Sequence, residues 1–177
     1  MISTVPTIQT ERLELVSLST PLIEALLAAD ADATPFRVPP DWPDAHDRRF
    51  LELRLRDLAN FPQYQEWLIR AIVHGGEMVG HAGFHGPPGV NAIKAPGAVE
   101  IGYTIFEPHR RNGYATEAAR ALVEWGEHER GLKHFVASAS PDNEPSLRVI
   151  RSLGFEQTGE RIDPEDGPEL IFEAWRP

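Results

Sequence analysis

Apolar and polar residues alternate in several short segments of the chain, and this alternation predicts strands with one buried face. In RLELVSL, residues 12–18, Leu13 and Leu15 point to the same face. Gly75 and Gly76 separate two further segments of this kind, which is typical of a hairpin turn. The strands predicted in this way cover residues 12–18, 66–74, 77–86, 98–106, 133–139, 155–161 and 169–175.

Helices are predicted where apolar residues recur at intervals of three and four. Leu51, Leu55 and Leu58 lie on one face of a helix over residues 44–59. A second segment with this spacing, Ala115 to Arg130, is rich in alanine. Two more helices are predicted. One begins at Ser19 or Thr20, and the other begins at about Asn143.

In chain order, the elements read strand, helix, helix, three strands, helix, strand, helix and two strands. This order indicates an α/β protein of the mixed α+β kind. Its sheet is antiparallel at first and has a parallel crossover near residues 98–139. Residues 85–97, which are rich in proline and glycine, predict a long loop between two strands. With 177 residues, the chain is long enough for one domain with its own hydrophobic core.

The composition narrows the choice of partners and compartment. The net charge of −10 disfavours binding to nucleic acid, because phosphate neutralisation supplies most of that affinity. The same acidity either favours a cationic substrate or only keeps the protein soluble. The absence of cysteine excludes disulfides and thiolate chemistry, and it fits a cytoplasmic protein. No apolar run approaches the ~20 residues of a membrane span, and the first residues lack the pattern of a signal peptide, so no membrane partner is expected.

The segment RRNGYAT, residues 110–116, lies where a predicted strand gives way to the alanine-rich helix. A helix N-terminus presents unpaired N–H groups and a partial positive charge, which together favour an anion. Gly113 lets the backbone approach a ligand closely, and Arg110 and Arg111 add positive charge. The segment is therefore either a phosphate cradle or a plain glycine turn with solvated arginines. It matches neither a Walker loop nor a dinucleotide fingerprint.

Longer segments distinguish these alternatives, because they resemble a known family in order and spacing. Five segments are similar to sequences of the GCN5-related N-acetyltransferase (GNAT) superfamily, in its ribosomal-protein-alanine acetyltransferase-like branch. They are TERLEL, GHAGF, EIGYTIFEPHRRNGYATEAARALVEW, an Asn-x-x-Ser pair and IRSLGF. The resemblance covers about Thr10 to Trp175 and implies a single domain over residues 1–177. It also implies a twisted, mostly antiparallel sheet of about seven strands, splayed between the fourth and fifth, with about four helices.

The resemblance implies that acetyl-CoA is the cosubstrate. In the family, the loop at the start of the long helix holds the CoA pyrophosphate, and the pantetheine arm lies in the splay beside the preceding strand. The residues expected to contact CoA are therefore Thr104, Ile105, Phe106, Arg110, Arg111, Asn112, Gly113, Tyr114, Ala115, Thr116 and Asn143.

Acetyl transfer to an amine needs a proton acceptor and a leaving thiol. Glu100 is the candidate base, since the family often has a glutamate close to this position; alternatively, it binds substrate or faces solvent. Many relatives have a tyrosine as the acid, but the matching position here is Ile150. Ser146, where this branch often has a serine, is the candidate acid for the sulfur; alternatively, it is an ordinary helix-start serine.

The acceptor is expected to be a primary amine, either a protein N-terminus or a small molecule. Phe36 and Trp42, in the loop between the first two helices, and His85 are candidates for the acceptor site. His81 and His85 without a carboxylate cluster are a weak metal signal, so no metal is expected. A monomer or a homodimer fits the resemblance. The alternative function is a non-catalytic CoA-binding regulatory module with the same fold.

Overall fold

The computed structural model describes residues 5–177 as one open sheet with helices on both faces. Short 3-10 turns at 31–33, 62–66 and 107–109 supplement four α-helices. The elements in chain order are β1 (Ile8–Gln9), β2 (Glu14–Ser17), α1 (Thr20–Leu27), α2 (Ala45–Asn60), β3 (Arg70–His74), β4 (Glu77–Phe84), β5 (Val99–Ile105), α3 (Tyr114–Arg130), β6 (His134–Ala139), α4 (Glu144–Ser152), β7 (Glu156–Asp163) and β8 (Gly167–Trp175).

The eight strands lie in the order β1-β2-β3-β4-β5-β6-β8-β7. All neighbours are antiparallel except β5 and β6, which are parallel and are joined by the crossover helix α3. The mixed sheet and its single parallel crossover near residues 98–139 were both predicted from the pattern of the sequence.

Two details differ from the prediction. Residues 66–69 do not belong to a strand, because a 3-10 turn over Pro62–Glu66 leads into β3, which begins only at Arg70. The two-residue strand β1 was not predicted, since so short a segment has no period of its own, and it brings the count from about seven strands to eight. The splay expected between the fourth and fifth predicted strands therefore falls between β5 and β6.

Apolar side chains on the two faces of the sheet form two cores. The larger core packs α3 and α4 against one face, with Ala118 and Leu122 of α3 completely buried. The other core packs α1 and α2 against the opposite face, around Ile23 and Leu51. The helical periodicity of α2 and α3 is thus explained by burial. Among residues 5–177, no helix is both long and apolar enough to cross a membrane.

Candidate active site

The sheet opens between β5 and β6. The two strands pair from Val99 opposite Phe135 to Ile101 opposite Ala137. Beyond that point β5 continues to Ile105 paired only with β4, and β6 continues to Ala139 paired only with β8. The predicted splay is therefore confirmed as a gap that begins after Ile101, in the middle of the sheet.

The backbone of β5 presents polar groups to this gap. His85 N–H donates to Glu100 O, and Phe106 N–H donates to Val79 O, so the even-numbered residues of β5 bond to β4. By the alternation of an antiparallel ladder, the amides of Tyr103 and Ile105 point the other way, toward the gap. Three residues of this strand end were expected to line the cofactor arm. The backbone N–H of Ile105 points toward the gap, whereas the backbone N–H groups of Thr104 and Phe106 point toward β4.

The gap leads to the N-terminus of α3. Gly113 has a left-handed backbone, φ +79°, and no side chain caps the helix. Within the described chain, the N–H groups of Gly113, Tyr114, Ala115 and Thr116 have no hydrogen-bond acceptor, and the first paired amide is that of Glu117. A helix start of this kind is suited to an anion. The residues present thus fit the pyrophosphate of CoA.

The side chains of the loop before α3 stabilise its shape. Arg110 Nε donates to Ile105 O at 3.0 Å, which turns the guanidinium toward the end of β5. Asn112 Nδ2 donates to His109 O and Arg110 O, so this amide closes the loop. Arg111 is exposed and has a left-handed backbone, φ +64°. The predicted cluster of positive charge is present at the helix start, although one nitrogen of Arg110 already donates to a backbone carbonyl.

Arg12, which sequence reasoning missed, adds a further cation to this loop. Its guanidinium pairs with Glu117 Oε2 at 2.7 Å and donates to Asn112 O at 2.9 Å. A Cβ added at Gly113 would lie 3.3 Å from Arg12 Nη2. Glu117 also accepts from Thr10 Oγ1 at 2.6 Å, so the first turn of α3 is tied to the strand pair at the edge of the sheet. Only the arginine in TERLEL could have signalled this contact.

Glu100 is almost completely buried, with 1% of its surface exposed. Its Oε1 accepts from Ser138 Oγ at 2.6 Å, and its Oε2 accepts from Ala92 N–H at 2.6 Å and lies 3.5 Å from His85 Nδ1. Burial alone would raise the pKa of Glu100, but His85, Ser138 and the Ala92 amide outweigh it, and the pKa is lowered. The carboxylate is therefore ionised and holds the loop 85–97 against the sheet.

The His85 ring lies between Glu100 and the gap. Its side chain is 48% exposed. Nε2 lies over Gly102, where an added Cβ would approach to 3.0 Å, so the absence of a side chain at Gly102 makes room for the ring. Gly102 is the first residue of β5 beyond the last pair with β6. An exposed imidazole is thus positioned at the mouth of the gap.

The start of α4 borders the gap on its other side. Asn143 caps this helix, since its Oδ1 accepts from Ser146 N–H at 3.2 Å. Tyr103 Oη donates to Ser146 O at 3.2 Å and so joins β5 to α4. Burial raises the pKa of Tyr103 to about 12, which makes its phenol a poor proton donor. Ile150 is buried in the core, as expected of an aliphatic residue at that position.

An aromatic cluster with one carboxylate lies on the α2 face of β4 and β5. The Trp42 ring centroid is 5.4 Å from that of Phe106, and Phe50 stacks on His81 at 5.6 Å. His81 Nε2 is 3.5 Å from Asp47 Oδ1. The neighbouring His81 ring lowers the pKa of Asp47 against the opposing effect of burial. Trp42 is buried against Phe106 at the end of β5, and its role in acceptor binding stays a prediction.

Phe36 has a different position. It is buried among the apolar residues of the smaller core and lines a shallow depression with Arg37 and Gly76, beside the β3–β4 turn. The structure does not bring it next to His85 or Glu100, and its role in acceptor binding stays a prediction. In the part of the chain that the structure describes, no cluster of three or more His, Asp or Glu side chains is arranged to hold a metal ion.

Comparison with known proteins places this geometry in a family. The family model described as an acetyltransferase (GNAT) domain matches residues 12–156. The chain is 28% identical over 155 residues to YjdG, an uncharacterised N-acetyltransferase of Bacillus subtilis, covering 84% of this chain and 88% of that protein. It is 27% identical over 172 residues to p20, an uncharacterised N-acetyltransferase of Bacillus licheniformis, covering 96% and 93%.

Solved structures have the same fold. An acetyltransferase from Agrobacterium tumefaciens superposes with a TM-score of 0.64 at 26% identity, covering 99% of this chain and 98% of that one. RimL, a ribosomal L7/L12 α-N-protein acetyltransferase solved in complex with coenzyme A, superposes with a TM-score of 0.68 at 20% identity, covering 96% and 98%. The family model, the relatives and the opened sheet agree, and the chain belongs to the GNAT family of N-acetyltransferases.

Proposed function

We propose that this protein transfers the acetyl group of acetyl-CoA to a primary amine by direct attack of the amine on the thioester. The observation that carries the proposal is the continuity between two features. The gap after Ile101 leads along β5 to a helix start whose first N–H groups are unpaired. A slot for an extended arm that ends in an anion site matches the shape and charge of coenzyme A.

The cradle residues would hold the diphosphate of CoA through backbone amides. Gly113 to Thr116 supply N–H groups at the positive end of the α3 dipole. Arg12, Arg110 and Arg111 supply positive charge around the same loop in a chain with a net charge of −10. Tyr103 and Ile105 offer backbone groups for the amide-rich arm, and an N–H at Ile105 would polarise the thioester carbonyl.

The acceptor would approach from the α2 face of the sheet. Thr104 is exposed and lies opposite His81, so both side chains share the face that carries the aromatic cluster. A carboxylate attracts a cationic amine, and Asp47 supplies one beside the half-buried Phe106. This arrangement supports an amine that arrives protonated and loses a proton in the cleft.

The proton requirement depends on the amine. Deprotonating a lysine-like amine at pH 7 costs about 4.6 kcal/mol, whereas an α-amine costs about 1 kcal/mol. A general base in the cleft is therefore more important for a lysine-like amine than for an α-amine. Glu100 would supply a negative charge beside the gap near neutral pH, and Ser146 would supply a hydroxyl at the start of α4 for the leaving thiolate. A thiol leaves readily, because its pKa is near 8.5.

An acetyl-CoA assay with a panel of amines tests the proposal. The panel contains spermidine, free lysine and peptides that begin with alanine or serine, and the release of free CoA thiol is followed. Thiol release above the rate of hydrolysis with any of these amines, together with a mass increase of that amine by one acetyl group, is the expected result. Saturable CoA binding without turnover on the whole panel would instead indicate a non-catalytic CoA-binding module.

A further inference from the structure

We infer that His85 Nε2, rather than the carboxylate of Glu100, is the atom that removes the proton from the acceptor amine, and that Glu100 positions and stabilises the His85 ring. This inference rests on the proposed function and identifies a catalytic side chain for it. Four features carry it: the burial of Glu100, the position of His85, the charges around the pair and the chemistry of the step.

Glu100 is poorly placed for direct contact with an amine. Only 1% of its surface is exposed. Both of its oxygens already accept hydrogen bonds of 2.6 Å, from the Ser138 hydroxyl and from the Ala92 amide. The loop that carries Ala92 and the His85 ring both cover this carboxylate. Direct proton transfer from an amine to Glu100 would therefore require these contacts to break.

His85 has the access that Glu100 lacks. Its side chain is 48% exposed, and its Nδ1 faces Glu100 Oε2 at 3.5 Å. The opposite nitrogen, Nε2, lies over Gly102 at the mouth of the gap. One ring nitrogen is thus directed to a buried carboxylate and the other toward the site where the thioester would lie. A carboxylate at one ring nitrogen sets the tautomer that leaves the other free to accept a proton.

Two arginines lie near the pair, and each has a carboxylate partner of its own. Arg54 of α2 donates from Nη1 to His85 O at 3.2 Å and is paired with Asp57 at 3.3 Å. Partial burial lowers the pKa of Arg161 of β7, but Glu169 and, after it, Glu100 outweigh this effect, and the pKa is raised. Among the described residues, Glu100 is the one carboxylate within 4.0 Å of the His85 ring nitrogens.

The proposed reaction is an acetyl transfer with His85 as the general base. An amine that arrives protonated first releases one proton to solvent water. The nitrogen of the neutral amine then forms a bond to the carbonyl carbon of the thioester while one N–H proton passes to His85 Nε2. The resulting imidazolium is stabilised by the carboxylate of Glu100. The carbon–sulfur bond breaks with its electron pair on sulfur, and the thiolate takes up the proton that the imidazolium holds. The products are the acetamide and the CoA thiol, and the ring returns to its neutral form.

Replacement of His85 tests the catalytic role with the fastest acceptor found in the amine panel. We expect His85→Gln to lower kcat/KM about 100-fold near pH 7. Free imidazole should restore part of the activity of His85→Ala, because the space above Gly102 is then open. His128→Gln, an exposed histidine on α3, is the matched control and should behave as the wild type.

Nuclear magnetic resonance of the free protein tests the positioning role without turnover. At pH 9, where imidazole rings are neutral, the nitrogen-15 shifts of the wild-type His85 ring should show the tautomer with its proton on Nδ1, because Nδ1 faces the carboxylate of Glu100. Glu100→Gln replaces the carboxylate by a weaker, uncharged acceptor and should move the shifts toward the tautomer protonated on Nε2. Ser138→Ala keeps the carboxylate and should leave the shifts close to those of the wild type. Identical nitrogen-15 shifts in Glu100→Gln and the wild type would overturn the positioning role.

The outcomes separate this inference from the proposed function. If the wild type acetylates an amine and His85→Gln does so with an unchanged kcat/KM and pH profile, the inference is wrong while the proposed function stands. If the wild type acetylates no amine, the proposed function fails first. Loss of activity in His85→Gln without rescue of His85→Ala by imidazole would indicate a structural role for the ring and would also contradict the inference.

Discussion

Ile101 and Ala137 are the last residues that face each other across β5 and β6. Each strand continues beyond this pair, but with a different neighbour. The backbone N–H and C=O groups that would have paired the two strands are therefore available to bind a ligand. This divergence leaves His85 and Glu100 near the start of the gap and the N-terminus of α3 beyond the end of β5.

Replacement of Gly113 tests the cradle, and Gly131 offers a matched control at the other end of α3. Both glycines have left-handed backbones, with φ of +79° and +64°. Gly113→Ala and Gly131→Ala should each cost about 1–2 kcal/mol of stability, because a Cβ is strained in that conformation. Gly113→Ala alone should also weaken CoA binding, by about tenfold, because it shifts the first amides of α3 and crowds Arg12.

Urea unfolding and calorimetric CoA titration of both variants measure these effects. Equal CoA affinities for the two variants would mean that the start of α3 is an ordinary glycine turn. Gly113→Glu is the stronger version of the same test, since it adds a negative charge where the diphosphate would lie.

Arg12 is expected to contribute to CoA binding from outside the loop. Arg12→Gln removes the ion pair with Glu117 and the bond to Asn112 O, and it should weaken CoA binding about tenfold. Arg12→Lys keeps the charge and should lose less affinity. Raising the salt concentration should reduce the difference between the wild type and Arg12→Gln. A CoA affinity for Arg12→Gln equal to that of the wild type would show that Arg12 only anchors α3 to the edge strands.

Asn143 has two expected roles that substitution can separate. Asn143→Ala removes the cap of α4 and should cost about 1 kcal/mol of stability, whereas Asn143→Asp keeps a capping oxygen. Both variants lack the amide Nδ2, which donates to no other described residue, so both should bind CoA more weakly. If Asn143→Asp binds CoA as tightly as the wild type, Asn143 serves the fold alone.

Glu100 should make stability depend on pH. Its pKa is lowered in the folded protein from an ordinary value of 4.5, so its ionised form contributes stability that is fully present above that value. The contribution is lost as the pH falls through the lower, folded value. The free energy of unfolding of the wild type should therefore exceed that of Glu100→Gln at pH 6, and the difference should shrink steadily below about pH 4.5. A difference that is constant from pH 6 to pH 3 would contradict the assignment.

Local patterns in the sequence predicted the parts of the site that lie within one segment. The loop before α3 could be read because Gly113 and its arginines are contiguous and precede a strongly periodic helix. Burial of the apolar faces of α2 and α3 followed from spacing alone. The position of Asn143 at a helix start was also predictable, and the structure gives it the capping role that asparagine commonly has there.

Contacts between distant segments could not be predicted in this way. The Arg12–Glu117 pair joins residues 105 positions apart, and no local rule relates them. Which amides of β5 face the gap depends on the register with β4, which is fixed by tertiary packing. The enclosure of Glu100 by Ala92 requires the path of the loop 85–97, whose proline and glycine content predicts a loop but not its conformation.

The central claim is that CoA lies in the gap between β5 and β6 with its diphosphate at the start of α3. Amide chemical-shift mapping with unlabelled CoA tests it most directly. We predict saturable shifts at the amides of Tyr103, Ile105 and Gly113 to Thr116, with the amides of the β7–β8 turn, residues 163–167, unchanged. Saturable shifts confined to other parts of the sheet, or none at all, would contradict the account.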